Sequence, residues 1–209
     1  MTEPGDRAGF AQRMTTAPIF IPTAVVQAYR TVPLEALRKY SADPLDTAGS
    51  LVTGGRYNAP HDLPGAHAAL YLAEHTAVAH AEAGAIAVVR DVKGLVIQPG
   101  KDQRPRLDIT VQLTLQTVLD LTDPAVLDHL GLLPADLLRE WLPLNLRGQL
   151  AVTQLVAGAA LDSGRYEALL YPSARFPGGK NYAVFPDRVP PARRVIHDPT
   201  GELQVFRNA

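Results

Sequence analysis

Three polar residues in distinctive local surroundings indicate where this chain could do chemistry. Arg56 follows two glycines, Glu82 closes an alanine-rich segment, and Ser173 comes directly after a proline. The guanidinium group of an arginine presents a fixed fork of donors that fits pyrophosphate, and a carboxylate can stabilise a cationic, oxocarbenium-like ribose at its transition state. Brought together by folding, these residues would form a site for a phosphate-bearing sugar, which points to chemistry on NAD.

Two arginines are candidate phosphate ligands. The glycines before Arg56 permit a positive φ angle and leave backbone N–H groups open to an anion, although a turn with a solvated arginine would give the same pattern. Arg30, at the end of a predicted strand, is the second candidate or else a surface arginine. Tyr57, Asn58 and Arg175 are weaker candidates that could orient a residue in contact with the ligand.

Tyr71 and two glutamates could supply an aromatic ring and a carboxylate. The ring of Tyr71 could stack on nicotinamide or lie at the edge of the core. Glu82 competes with Glu74 for the role of the carboxylate. Ser173 lies in no Gly-x-Ser-x-Gly motif, so we expect it to bind ribose or phosphate through its hydroxyl, with a turn-capping role as the alternative.

The elements that must position these residues are short strands and helices. Apolar runs and alternation predict strands at 24–32, 70–72, 85–89, 107–119, 168–171, 182–185, 195–196 and 203–206, and helical patterns cover 34–40, 76–83, 124–130, 134–141 and 153–160. The Gly- and Pro-rich segment 43–64 is predicted to be an ordered loop. Strands do not alternate regularly with long helices, and the chain has neither a Gly-x-Gly-x-x-Gly fingerprint nor a P-loop. The predicted fold class is therefore α+β, with mixed or antiparallel strands.

Composition excludes several kinds of protein. With 209 residues, 46% of them apolar, the chain is expected to form one domain over residues 17–209 after a loosely ordered segment at 1–16. Its net charge of −1 gives no reason to expect direct binding of nucleic acid or of a membrane surface. No cysteine is present, which excludes disulfides and zinc–thiolate sites and is compatible with a cytoplasmic protein.

Two further patterns are missing from the sequence. There is no apolar run long enough to span a membrane, and the first residues lack the apolar stretch of a signal peptide. His75 and His80 are five positions apart and do not share a helix face, so no metal site is predicted.

Several motifs resemble, in order along the chain, those of the RES domain family. They are Tyr29-Arg30, Gly49-Ser50 with Gly54-Gly55-Arg56-Tyr57-Asn58, Leu70-Tyr71-Leu72-Ala73 followed by Ala79 and Glu82, Thr153-Gln154-Leu155, and Tyr171-Pro172-Ser173-Ala174-Arg175. Tyr57 stands where the family more often carries Trp or Phe, so an aromatic residue is kept. In the family the glutamate comes roughly ten residues after the tyrosine, behind the alanine that Ala79 matches, and this spacing favours Glu82 over Glu74.

The resemblance implies a fold and a site. The fold would be α+β and similar to that of ADP-ribosyltransferases, a split β-sandwich with short surrounding helices that holds NAD in a cleft, and residues 17–209 would be a single RES domain. Arg56, Glu82 and Tyr71 would be catalytic. The NAD-binding residues would be Arg30, Arg56, Tyr57, Asn58, Tyr71 and Ser173.

The resemblance also implies an activity and a partner. The chain would be the toxin of a toxin–antitoxin pair, inhibited by an Xre-like helix-turn-helix antitoxin. It would cleave the nicotinamide–ribose bond of NAD by hydrolysis or phosphorolysis, with NAD as the substrate and with no cofactor or metal. A mono-ADP-ribosyltransferase that modifies a host protein would use the same site, and a non-catalytic binding module is the third alternative.

Overall fold

Short helices surround a mixed β-sheet in the computed structural model, which describes residues 7–22, 25–39, 43–92 and 94–198. The helices are α1 (Arg7–Met14), α2 (Leu34–Lys39), α3 (Ala48–Thr53), α4 (Thr76–Glu82), α5 (Pro124–Leu130), α6 (Leu142–Asn145) and α7 (Val152–Asp162), with 3-10 helices at Pro134–Leu138 and Pro191–Arg193. The strands are β1 (Val26–Pro33), β2 (Leu70–Ala73), β3 (Ile86–Asp91), β4 (Gly94–Pro99), β5 (Arg106–Leu113), β6 (Val118–Asp120), β7 (Ala168–Pro172), β8 (Lys180–Val184) and β9 (Arg194–Ile196). The predicted α+β class is confirmed.

Seven strands form one sheet, and β3 and β4 pair separately as a hairpin. The order in the large sheet is β6-β7-β8-β2-β1-β5-β9, with β6 and β7 parallel and the other neighbours antiparallel. Asn181 of β8 lies opposite Ala73 of β2 on one side and opposite Tyr171 of β7 on the other, and Ala73 also faces Tyr29 of β1. The middle of the sheet therefore brings four distant parts of the sequence side by side.

The core occupies both faces of this sheet. On one face Leu169 and Tyr171 pack in a cluster with Phe10 of α1 and Val156 of α7, and on the other Leu170 packs in a cluster with strand residues of β1, β2 and β5. Alternate side chains of a strand point to opposite faces. β7 is buried on both faces, which explains its continuous apolar sequence.

The N-terminal segment differs from the sequence prediction. Residues 7–14 form α1, with Phe10 and Met14 buried, and Arg7 makes an ion pair of 2.7 Å with Asp162 at the end of α7. The prediction of a loosely ordered segment is thus wrong over this helix, because its apolar side chains complete the core cluster beside α7. Residues 1–6 and the predicted strand at 203–206 lie outside the described residues.

Two other predicted elements need correction. The expected loop at 43–64 contains the helix α3. The expected single strand at 107–119 is two strands, since the backbone N–H of Gln116 donates to the Glu167 carboxylate at 2.7 Å and the chain then turns to pair β6 with β7. Across the described ranges, none of the helices is long and apolar enough to cross a membrane.

Candidate active site

A cavity of about 460 Å³ opens beside the middle of the sheet. Its walls come from β1, β2, the loop before β2, the end of α4, the segment after the 3-10 helix at 134–138, and the ends of β7 and β8. Residues with polar or aromatic side chains dominate the lining: Tyr29, Arg30, Thr31, Arg56, Tyr71, Glu82, Glu140, Trp141, Tyr171, Arg175 and Asn181. The cavity therefore brings together five of the candidate residues that the sequence singled out: Arg30, Arg56, Tyr71, Glu82 and the weaker candidate Arg175.

A tight turn after α3 presents Arg56 to the cavity. Gly54 ends the helix with a φ angle of 69°, which favours glycine. At Gly55 a Cβ atom would lie 2.5 Å from the Tyr71 hydroxyl oxygen and 2.8 Å from Oδ1 of Asn58, so no side chain fits. Nη1 of Arg56 donates to the carbonyl oxygens of Leu137 at 3.1 Å and Arg139 at 2.6 Å. The glycines thus set the course of the backbone, and the carbonyl contacts fix the guanidinium group.

Arg30 brings a second guanidinium group to the same cavity from β1. Its two terminal nitrogens each donate to the carbonyl oxygen of Asp46 at 3.2 Å. Burial lowers the pKa of Arg30, while the carboxylates of Asp46 and Asp43 act in the opposite direction. An arginine starts from so high a pKa that it remains cationic. Together with Arg56 and Arg175, which line the same cavity, Arg30 suits a ligand with more than one phosphate.

The hydroxyl group of Tyr71 is held in place at the cavity wall. It donates to Oδ1 of Asn58 at 2.7 Å and accepts from the backbone N–H of Tyr57 at 2.9 Å. Burial raises the pKa of Tyr71, so the hydroxyl stays protonated. With its polar end engaged, Tyr71 offers a fixed aromatic ring to the cavity, as stacking on a flat heterocycle requires.

Asn58 and Tyr57 lie behind the cavity wall. Neither belongs to the described residues that line the cavity. Both are fully buried. Nδ2 of Asn58 donates to the carbonyl oxygens of Ser50 at 2.7 Å and His67 at 3.1 Å. The ring of Tyr57 packs 4.1 Å from that of Tyr171. The prediction that they bind NAD directly is therefore not met in this geometry, because burial leaves them no surface for a ligand; they support Tyr71 and Tyr171.

Glu82 supplies to the cavity a carboxylate that hydrogen bonds hold in place. It is the last residue of α4, and its Oε1 accepts hydrogen bonds from the Ser173 hydroxyl at 2.6 Å and from Nδ2 of Asn181 at 3.0 Å. Glu74 instead accepts a hydrogen bond from the backbone N–H of Lys180 at 2.7 Å and is not among the described residues that line the cavity. The geometry therefore favours Glu82 over Glu74.

The Ser173 hydroxyl makes hydrogen bonds both to Glu82 and within its own turn. Besides donating to Glu82, its hydroxyl oxygen accepts from the backbone N–H groups of Arg175 at 3.1 Å and Phe176 at 2.9 Å. The side chain is buried, and Ser173 does not belong to the described cavity lining. A direct hydrogen bond from Ser173 to ribose or phosphate, as predicted, is not supported, since its O–H group is committed to the carboxylate.

Three residues of the site were given no role by the sequence. The side-chain amide of Asn181 donates a hydrogen bond to Glu82, and the ring of Tyr171 lines the cavity. Gln154 is buried in α7, where Nε2 lies 2.9 Å from the carbonyl oxygen of Gly55 and 3.1 Å from that of Asn58. An amide within the apolar α7 was a signal for a buried polar contact, because buried polar groups require partners. Asn181 carried no comparable local signal.

The described part of the chain contains no group of three or more His, Asp or Glu side chains placed to hold a metal ion. The cavity offers three guanidinium groups, the carboxylates of Glu82 and Glu140, of which that of Glu82 is oriented by hydrogen bonds, and three tyrosine rings. Guanidinium groups bind phosphates, tyrosine rings stack on flat heterocycles, and a carboxylate stabilises a developing positive charge. The arrangement thus fits a ligand that carries phosphates, a heterocycle and a cationic centre.

Comparisons with known proteins give a family and a fold. The sequence matches the RES domain family over residues 27–205. A search of curated proteins returned no significant match. The structure is similar to that of the toxin in the crystal structure of the M. tuberculosis MbcT–MbcA toxin–antitoxin complex, with a TM-score of 0.63, 21% sequence identity, and coverage of 96% of this chain and 98% of that one.

The structural similarity extends over nearly the whole of both chains, so the two proteins share a fold. It agrees with the ADP-ribosyltransferase-like α+β fold that the motifs implied. The matched residues 27–205 include Arg30, Arg56, Tyr71, Glu82 and Arg175 and thus every cavity residue that the sequence proposed as a candidate. On the extent of this match, the chain belongs to the RES domain family.

Proposed function

We propose that this protein is the toxin of a toxin–antitoxin pair and consumes NAD by cleaving its nicotinamide–ribose bond. The observation that carries the proposal is the Glu82 carboxylate, oriented by two hydrogen bonds in a cavity that it shares with Arg30 and Arg56. NAD has the features that such a cavity would recognise: a pyrophosphate, a flat cationic heterocycle and a ribose between them.

Binding would use the arginines and the tyrosine rings. Arg30 and Arg56 would hold the pyrophosphate, or one of them an incoming phosphate, through their fork of donors. The ring of Tyr71 would stack on the nicotinamide, and that of Tyr171 borders the same cavity. Glu140 and Trp141 lie on the lining contributed by the segment after the 3-10 helix, so the ligand would be enclosed between this segment and the sheet.

Bond cleavage would use Glu82. The bond between C1′ of the ribose and N1 of nicotinamide breaks, its electron pair leaves with the nicotinamide, and positive charge develops on the ribose. A carboxylate that is already oriented stabilises that charge more in the transition state than in the bound substrate, which lowers the barrier. An oxygen of water or phosphate then bonds to C1′ and loses a proton to solvent.

The family and the fold support the toxin assignment. The chain belongs to the RES domain family, and it shares its fold with the toxin of the MbcT–MbcA toxin–antitoxin complex. We extend to this chain the expectation of an antitoxin of the Xre-like helix-turn-helix type. The antitoxin would act by closing the cavity, and the protein would work in the cytoplasm, where NAD is available.

Product analysis tests the proposal. Purified protein is incubated with NAD, with and without phosphate, and in parallel with a cell extract and labelled NAD. Free ADP-ribose indicates hydrolysis, ADP-ribose 1″-phosphate indicates phosphorolysis, and labelled protein indicates the mono-ADP-ribosyltransferase alternative. Unchanged NAD under all three conditions would contradict the proposed activity and favour a non-catalytic binding module.

A further inference from the structure

We infer that Asn181 is a positioning residue that orients the Glu82 carboxylate; the inference rests on the function proposed above. Asn181 lies on β8 and lines the cavity with Glu82, although the two residues are 99 positions apart in the sequence. The side-chain amide donates to Oε1 of Glu82 at 3.0 Å. Its contribution to the reaction would come through Glu82.

Two donors from different elements fix one oxygen of the carboxylate. Ser173, in the turn after β7, donates to Oε1 at 2.6 Å, and Asn181 donates to the same atom from β8. A carboxylate oxygen has about two lone-pair sites, so these bonds occupy Oε1. In the described part of the chain no group donates to Oε2 of Glu82, which makes Oε2 the oxygen available to a ligand in the cavity.

The position of Glu82 makes such donors necessary. It is the last residue of α4, where the carbonyl ends of the helix carry partial negative charge and a carboxylate is disfavoured. Hydrogen bonds from neutral donors offset this cost. An amide also leaves the carboxylate its full charge, whereas a cation at position 181 would compete with the ribosyl cation for it.

Within the described part of the chain, orienting the Glu82 carboxylate is the single side-chain role of Asn181, whereas Ser173 has a second one. The Asn181 side chain is 3% exposed, and its backbone is fixed by pairing with Ala73 on one side and Tyr171 on the other. Ser173 also accepts two backbone N–H groups of its own turn, so replacing it disturbs the backbone as well as the carboxylate. Substituting Asn181 therefore tests the orientation of Glu82 with less disturbance of the backbone than substituting Ser173.

The first test compares Asn181→Ala and Asn181→Asp in the full chain. Asn181→Ala should lower kcat for NAD at least tenfold with KM within about twofold, because losing a hydrogen bond to a charged group costs about this much. Asn181→Asp should lower kcat further, since it places an acceptor against Oε1. Gln112→Ala, which removes an amide of β5 that is not in the described cavity lining, is the control and should keep wild-type kcat. Unchanged kcat in Asn181→Ala would overturn the inference.

The second test asks whether Asn181 acts through Glu82. In a Glu82→Gln background the added effect of Asn181→Ala on kcat should shrink to within about twofold, because little remains to be oriented. A loss of the same size in both backgrounds would mean that Asn181 contacts the substrate directly, and would overturn the inference.

A readout independent of activity separates this inference from the proposed function. A crystal structure of Asn181→Ala should show the Glu82 carboxylate displaced from the position it has beside Ser173 in the wild-type protein. An unmoved carboxylate would overturn the positioning role. If the wild-type protein releases no nicotinamide, the proposed function is contradicted. The position of the Glu82 carboxylate in the Asn181→Ala structure would still show whether Asn181 orients it.

Discussion

Replacing Glu82 by glutamine should abolish most NAD turnover while the fold remains intact. The change is nearly isosteric, and the amide oxygen of glutamine can still accept the hydrogen bonds from Ser173 and Asn181 that Oε1 accepts in the wild-type protein. What disappears is the negative charge facing the cavity. The experiment therefore isolates the electrostatic contribution of this side chain.

The magnitude follows from the charge interaction. Two unit charges about 4 Å apart interact by about 4 kcal/mol at the effective dielectric constant of about 20 that suits sites near a protein surface. Each 1.36 kcal/mol of transition-state stabilisation is worth about a factor of ten in rate, so full charge development corresponds to about a thousandfold. Because the ribose carries only part of a charge at the transition state, we expect kcat to fall at least about a hundredfold.

The assay follows the release of nicotinamide from NAD at saturating substrate, together with the melting temperature. Weakening two charge-assisted hydrogen bonds should cost about 1 kcal/mol, or a drop in Tm of about 2–4 °C for a protein of this size. Glu74→Gln is the matched control, since the Glu74 carboxylate binds the backbone N–H of Lys180 and does not belong to the described cavity lining. Near wild-type turnover in Glu82→Gln, or loss of turnover in Glu74→Gln, would refute the reasoning.

Three further outcomes are expected. Arg56→Lys should weaken NAD binding at least tenfold by calorimetry although the charge is kept, because lysine cannot make bidentate contacts with phosphate; equal affinity would remove Arg56 from the site. Gly55→Ala should lower both Tm and turnover, because its Cβ would lie 2.5 Å from the Tyr71 hydroxyl oxygen, whereas Gly49→Ala, with nothing within 4 Å, should change neither by much; equal effects of the two substitutions would contradict this. Controlled expression in a bacterium should stop growth and lower cellular NAD, and normal growth with soluble protein and no antitoxin would argue against a toxin.

Local sequence was sufficient for the parts of the site that depend on local geometry. Two glycines before Arg56 predicted a tight turn, and the structure has one. The alternation of Ile109, Val111 and Leu113 predicted a half-buried strand, and all three are buried in β5. These features arise from backbone preferences within a few residues, which the sequence displays directly.

Features that depend on distant contacts could not be predicted in the same way. β5 ends where it does because Glu167, 51 positions away, accepts the backbone N–H of Gln116. Ser173 was expected to touch the ligand, and only its proximity to Glu82, 91 positions away, shows what its hydroxyl is bonded to. Pairings of this kind are set by the order of strands in the sheet, which a single sequence does not display.

The N-terminal helix α1 could not be predicted from the sequence for a different reason. The first residues are polar enough to suggest a loosely ordered segment, and α1 contributes only Phe10 and Met14 as buried side chains. Those two side chains belong to the main core cluster beside α7. Tertiary packing stabilises this helix more than its own sequence does. The local sequence alone therefore did not predict it.

The most direct test of the central claim is the release of nicotinamide from NAD by the purified chain. We expect the wild-type protein to release one nicotinamide for each NAD consumed, and Glu82→Gln to release it at least about a hundredfold more slowly at equal concentration and with comparable NAD binding. No release by the wild-type protein, or equal release by both proteins, would contradict the claim that this cavity cleaves the nicotinamide–ribose bond with Glu82.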